Sequence, residues 1–199
     1  IFKNLDSSKY QNISVNLSYG IKSHNLQEEI EYYFEKRNNK LFPPSNKKCI
    51  CFIDDLNLPR KDQFGCQTVN EMLRQCMELD GWYSHENLTY VNIRSMLMFA
   101  STCLRGVDKS DISKRFVSKF VPLTLLTPND SQKTKIFNVV LSFYLSNFPN
   151  EDIKKLTEGL TVSMIGLYNS IMEKETYLPT PTKCHYVFNL RDVSKIFES

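Results

Sequence analysis

Four apolar residues in unbroken succession, Ile50, Cys51, Phe52 and Ile53, run directly into two carboxylates, Asp54 and Asp55. So short and pure an apolar run predicts a strand covered on both faces in a mainly parallel sheet. Parallel strands need crossover connections, so helices must alternate with strands around it. The flanking sequence fits. Ile13 to Leu17 alternates apolar and polar side chains as a half-buried strand does, and the Gly20 region ends it. Asn25 with Glu28 predicts the N-terminal cap of a helix whose Leu26, Ile30 and Phe34 make one apolar stripe. Asn38 to Lys48, polar apart from Leu41 and Phe42 and carrying Pro43-Pro44, reads as an exposed connection. Beyond the aspartates, Pro59 to Gly65 is turn-like. Val69, Met72, Leu73, Cys76 and Met77 then share a helical face that Gly81 is expected to terminate. Trp82-Tyr83 and Leu88 to Ile93 predict a hairpin, and Met96 to Ala100 a second buried strand ending at Ser101-Thr102.

From Pro128 onward the pattern becomes helical. Asn129 or Asp130 is placed to cap a helix carrying Ile136, Val140, Phe143 and Tyr144, and a second helix carries Ile153, Leu156, Leu160, Leu167 and Ile171. Leu178-Pro-Thr-Pro181 interrupts that run before a last helix from about Asn189. The change of character sets a domain boundary near Leu125 to Pro128. Hydrophobic residues at 41% of 199 supply a core. The second half's aromatics, such as Phe143, Tyr144, Tyr168, Tyr186 and Phe188, are expected inside it.

The charge balance of 25 basic against 22 acidic side chains gives no field that would steer nucleic acid or an anionic membrane. No stretch approaches the ~18–20 consecutive apolar residues of a membrane span. The six cysteines show no C-x-x-C pairing, which suits a reducing compartment and argues against zinc. His24, His85 and His185 lie far apart without ligand spacing, so no metal or triad role is expected of them. The start, Ile-Phe-Lys-Asn, has neither an initiator Met nor a signal-peptide layout, and the chain reads as an internal piece of a longer polypeptide.

In open α/β sheets ligands bind where strands emerge at their carboxyl ends, and Asp54-Asp55 sits at such a point. An acid there can hold Mg²⁺ on a nucleotide triphosphate, while its neighbour orients the attacking water. This is the logic of a Walker B element. The hexapeptide alone equally suits an ordinary loop start, where Asp is common.

The longer string decides between them. Phe52-Ile-Asp-Asp-Leu-Asn-Leu-Pro59, Gly65-Cys-Gln67, Glu71-Met-Leu-Arg-Gln75, Gly81-Trp-Tyr83, Lys114-Arg-Phe-Val-Ser-Lys-Phe120 and Leu178-Pro-Thr-Pro-Thr-Lys-Cys-His-Tyr-Val-Phe-Asn-Leu-Arg-Asp-Val-Ser-Lys195 occur in order. Together they resemble the third AAA+ module of dynein heavy chains, the axonemal type above all. The resemblance implies a partial P-loop-type α/β large subdomain with a mainly parallel sheet over residues 1–125. An all-helical small subdomain, the lid, follows over 126–199. It implies ATP or ADP with Mg²⁺ as cofactors, Asp54 as the magnesium-associated acid and Asp55 in the place of the water-activating acid. That second position is Glu in many AAA+ proteins, and the shorter Asp is expected to weaken hydrolysis. Arg191 matches the sensor-two position, from which a guanidinium reaches phosphate oxygens, though alone it reads as a helix-start Arg paired with Asp192. Arg115 matches a finger position serving the neighbouring module's nucleotide, against a solvated basic face with Lys114 and Lys119.

Two departures from the pattern bear on function. Thr102-Cys-Leu-Arg-Gly-Val-Asp-Lys109 replaces the Gly/Pro-rich segment of axonemal relatives, so the sensor-one position falls on Thr102 or Cys103. No G-x-x-x-x-G-K-[ST] is present, so the phosphate loop is expected before Ile1 and this piece alone is expected to be inactive. The implied parent is an ATPase motor on microtubules, with neighbouring AAA+ modules and dynein light and intermediate chains as partners. Its place is the cytoskeleton, the axoneme of a cilium or flagellum ahead of the cytoplasm. The competing readings are a structural ring segment whose nucleotide site has decayed, and an unrelated α/β binding module without ATP chemistry.

Overall fold

The computed structural model describes residues 4–38, 40–44, 47–103 and 110–198. The chain divides into two compact units, Ile1–Leu123 and Thr124–Ser199.

The first unit is α/β. Its main sheet has the order β1-β4-β7, with β1 Tyr10–Asn16, β4 Lys48–Asp54 and β7 Met96–Ala100 all parallel. The register places Ile13 and Val15 level with Cys51 and Ile53, and these level with Met98 and Ala100, so one face of the sheet is apolar throughout. Against that face lie Leu26 and Ile30 of α1 (Ser23–Glu31) and Val69, Leu73 and Cys76 of α2 (Thr68–Leu79), all in one core. The opposite face carries Asn12 and Ser14, Ile50 and Phe52, and then Leu97 and Phe99. Leu97 and Phe99 are 57% and 46% exposed, so β7 is half-buried and not the fully buried strand its composition predicts. It is an edge strand among the described residues, with Met96, Met98 and Ala100 turned to the core.

A second, smaller sheet has the order β2-β3-β6-β5, built from Glu35–Arg37, Lys40–Phe42, Tyr90–Ile93 and Gly81–Tyr83. The predicted hairpin is its antiparallel β5-β6 pair. The expected exposed connection after Asn38 instead contains β3, whose Leu41 is buried against the core. Trp82 of β5 is fully buried and its Nε1 donates to Glu31 Oε1 at 2.8 Å, while Tyr83 beside it is exposed.

Helix ends depart from expectation in two places. Helix α1 begins at Ser23 after Lys22, without a side-chain cap, so Asn25 and Glu28 lie inside it. Helix α2 is closed by Asp80, which takes the left-handed conformation at φ 54° and donates its N–H to the Cys76 carbonyl. Gly81 belongs to β5 instead. A Cβ there would stand 2.2 Å from the Val91 carbonyl oxygen, so the two strands approach too closely for any side chain.

The second unit is helical. Its elements are α4 (Asp130–Ser146), α5 (Glu151–Glu173), a short 3₁₀ turn Glu175–Tyr177 and α6 (Leu190–Glu198). Asn129 caps α4 through a full capping box with Gln132. Its core is Phe137, Ile165, Val193 and Phe197, with the Phe137 and Phe197 rings stacked 4.7 Å apart. The face of α5 turned inward is Thr157, Thr161, Met164, Ile165 and Tyr168 rather than the leucine stripe. Leu156, Leu160 and Leu167 are exposed, as are Phe143 and Tyr144, contrary to their expected core placement. Thr161 explains part of the choice: its hydroxyl bonds the Thr157 carbonyl at 2.8 Å and Asn138 Oδ1 at 3.2 Å, so a buried polar stripe is satisfied. Among the described residues no helix is long and apolar enough to cross a membrane.

Candidate functional site

Asp54 is the last residue of β4, the central strand of the main sheet, at its carboxyl end. The ladder to β7 closes at Ile53 opposite Ala100, and the chain then continues in contact. The Ser101 amide donates to the Ile53 carbonyl at 2.9 Å, and the Leu56 amide to the Ser101 carbonyl at 3.0 Å. That brings the Ser101 hydroxyl onto Asp54 Oδ1, which also accepts the Asp55 amide at 3.1 Å. On the other side the Asp54 carbonyl accepts the Leu17 amide at 3.2 Å, just beyond β1. A half-buried carboxylate is thus held by three strand ends, with Oδ1 engaged by donors.

Asp55 turns the chain. Its φ of 56° is left-handed, a conformation Asp tolerates better than most residues, and its carbonyl accepts the Leu58 amide at 2.9 Å. The two carboxylates therefore leave the strand in different directions, as one acid for a cation and a second for a water would require.

Thr102 and Cys103 are both exposed, and the Thr102 hydroxyl lies 3.4 Å from the Cys103 carbonyl. The residue after β7 that touches Asp54 is Ser101, which sequence reasoning took only as a strand end. Its signal was register: the residue following Ala100 must lie beside the residue following Ile53. The replaced segment's residues 104–109 lie outside the described residues.

Arg115 is exposed on the short α3 (Lys114–Val117), which is held by the fully buried Phe116. Lys119 is paired with Glu78 at 3.0 Å, and Arg74 bonds the same Glu78 and Glu71, so the basic face is partly neutralised. Lys119 first, then Arg74, holds the Glu78 carboxyl below its ordinary value. Arg191 is the second residue of α6 and is exposed. Its expected partner Asp192 is engaged elsewhere: Asp192 Oδ2 accepts the Asn189 amide at 3.0 Å, and Asn189 Oδ1 accepts the amides of Arg191 and Asp192. This reciprocal cap leaves the Arg191 side chain without an ion pair among the described residues.

Burial pushes the thiols of Cys49, Cys51 and Cys76 up to about 12, so they are protonated apolar groups and not nucleophiles. His24 and His85, distant in sequence, stand edge to face 6.1 Å apart, a meeting their spacing did not announce. Among the described residues no group of three or more His, Cys, Asp or Glu could hold a metal ion by itself. A recess of about 710 Å³ opens between the turns after β1 and β4, lined by Tyr19, Lys22, Arg60, Lys61 and Phe64, and does not include the acid pair.

Residues 1–128 match the family model described as the P-loop containing dynein motor region, and residues 160–199 that of the AAA+ lid domain. Over all 199 residues the chain is 36% identical to dynein axonemal heavy chain 2 of Homo sapiens, and 34% to the dynein-1-beta heavy chain, flagellar inner arm I1 complex, of Chlamydomonas reinhardtii. It is 35% identical over 191 residues, 96% of its length, to dynein axonemal heavy chain 6 of Homo sapiens. The chain spans 4% of the length of each of these relatives.

Proposed function

The chain belongs to the dynein heavy-chain family, and from that premise we propose that it forms part of a regulatory nucleotide-binding AAA+ module in an ATP-driven microtubule motor. One observation carries the reading: Asp54 stands at the carboxyl end of the central parallel strand with Ser101 bonded to it. The donor set fits Mg²⁺ with ATP or ADP. Mg²⁺ takes one or two carboxylates, keeps waters and completes its shell with phosphate oxygens, so it needs no all-protein cage. Bound Mg-ATP supplies the phosphoanhydride and the cation that offsets its charge.

Asp54 holds the cation side, directly or through water, and Asp55 orients the water that would attack. Thr102 or Cys103 contributes the sensor-one contact. Arg191 reaches phosphate oxygens from the helical unit, and Arg115 serves the nucleotide of the adjoining module. Occupancy biases neighbouring AAA+ modules that share the interface. The parent works on microtubules with dynein light and intermediate chains, in an axoneme. The left-handed turn at Asp55 and its short side chain favour a second reading, a structural ring segment with a decayed site.

In the parent heavy chain, Asp54→Ala should lower the Mg-dependent nucleotide content by about one per chain, since it removes the cation's carboxylate. Arg191→Ala should weaken ATP at that site roughly tenfold or more, the loss of a charge-assisted hydrogen bond. Unchanged nucleotide content in both variants would favour the structural reading.

A further inference from the structure

The turn that carries the acid pair is braced by buried amide side chains. On its α2 side, Asn70 Nδ2 donates to the Leu56 carbonyl at 3.0 Å and to Gln67 Oε1 at 2.9 Å, and Gln67 Nε2 donates to the Pro59 carbonyl at 2.7 Å. On the other side stands Asn57, only 3% exposed. Its Nδ2 donates to the Cys103 carbonyl at 2.9 Å, and its own carbonyl accepts the Ser110 amide at 3.0 Å. Its Oδ1 accepts from no donor among the described residues. An unpaired buried polar atom is unfavourable, so an apolar residue would suit the site better unless the Nδ2 donor had a use. That use is visible in the order of bonds. Backbone pairing of β4 with β7 ends at Ile53 and Ala100, Ser101 then bonds Ile53, Asp54 and Leu56, and Asn57 bonds Cys103 and Ser110. The ladder is continued past the sheet by side chains, and both carboxylates lie within that continuation.

We propose that Asn57 is a positioning residue of the nucleotide site, fastening the chain after β7 to the Asp54-Asp55 turn so that the two hold one geometry around the terminal phosphate. This rests on the nucleotide reading above. Asn57 touches no reacting atom; it acts through Asp54, Asp55 and the residues after Ala100.

The test uses the parent heavy chain carrying Asn57→Ala, with Asp54→Ala as the site marker. Ile30→Val, which trims a fully buried side chain on α1, is the stability control. Two quantities are read: hydrogen exchange of the amides of residues 101–103 and of Ser110 without nucleotide, and the ATP:ADP affinity ratio of the site that Asp54→Ala abolishes. Asn57→Ala should speed the exchange and lower the ATP:ADP ratio about tenfold, the effect of one lost hydrogen bond, with ADP affinity retained. Ile30→Val should change neither. Unchanged exchange would overturn the fastening, and faster exchange with a wild-type ATP:ADP ratio would reduce Asn57 to a structural brace. If Asp54→Ala loses no nucleotide, the nucleotide reading itself fails and the positioning role with it. That outcome is distinct from an Asp54-dependent site that ignores Asn57.

Discussion

The two units bury their side chains in different ways. In the α/β unit one sheet face and two helices enclose a continuous core, and even its buried amides are used as braces. In the helical unit the fully buried apolar set is Phe137, Ile165, Val193 and Phe197, while Leu156, Leu160, Leu167 and Phe143 face outward. Helix α5 has two faces capable of burial, and the one with threonines is inside. Hydrophobic content alone therefore does not rank faces. A stripe that closes its own hydrogen bonds competes with a stripe of leucines when the neighbouring helix offers a partner such as Asn138.

Matched truncations should expose the difference most sharply. Leu73→Ala, at a fully buried position on α2, should destabilise the α/β unit by about 2–5 kcal/mol, whereas Leu160→Ala should fall within about 0.5 kcal/mol. Denaturant unfolding of the chain measures both, and equal losses would break the comparison. Gly81→Ala comes next. Its new methyl would meet the Val91 carbonyl, so a loss of about 1–3 kcal/mol is expected in the same assay, confined to the α/β unit. The smallest effect belongs to the helical unit: Asn129→Ala removes the capping box of α4 and should cost about 1 kcal/mol, seen as a small drop in the helical melt. A larger drop would mean that α4 depends on its end more than on its thin core.

Much of the α/β unit was legible because its signals are local. The apolar run at Ile50 and the acids that follow it placed β4 and the candidate site, and the hairpin and the cap at Asn129 were visible in short windows. The misreadings share a physical cause in long-range partners. Gly81 looked like a helix stop, yet its missing side chain answers to Val91 on another strand. Leu97 and Phe99 looked buried because composition cannot say which strands flank β7. Ser101 and Asn57 looked like ordinary loop polars until register set one beside Asp54 and the other beside Cys103. Asp192 was expected to pair with the Arg before it, but a helix N-terminus offered it a backbone amide instead.

The outer rim of β7 has a bearing on how the polypeptide is made. Leu97 and Phe99 lie along a strand whose second edge is unpaired among the described residues, so exposed hydrocarbon and open ladder groups coincide. Such a rim is a template for any extended segment that passes, including one from another nascent copy. Side-chain burial and backbone pairing there are completed by the same arriving strand. Assembly at this place is therefore a race between correct closure and misassociation, and a chaperone that shields extended apolar edges would act at this point of synthesis.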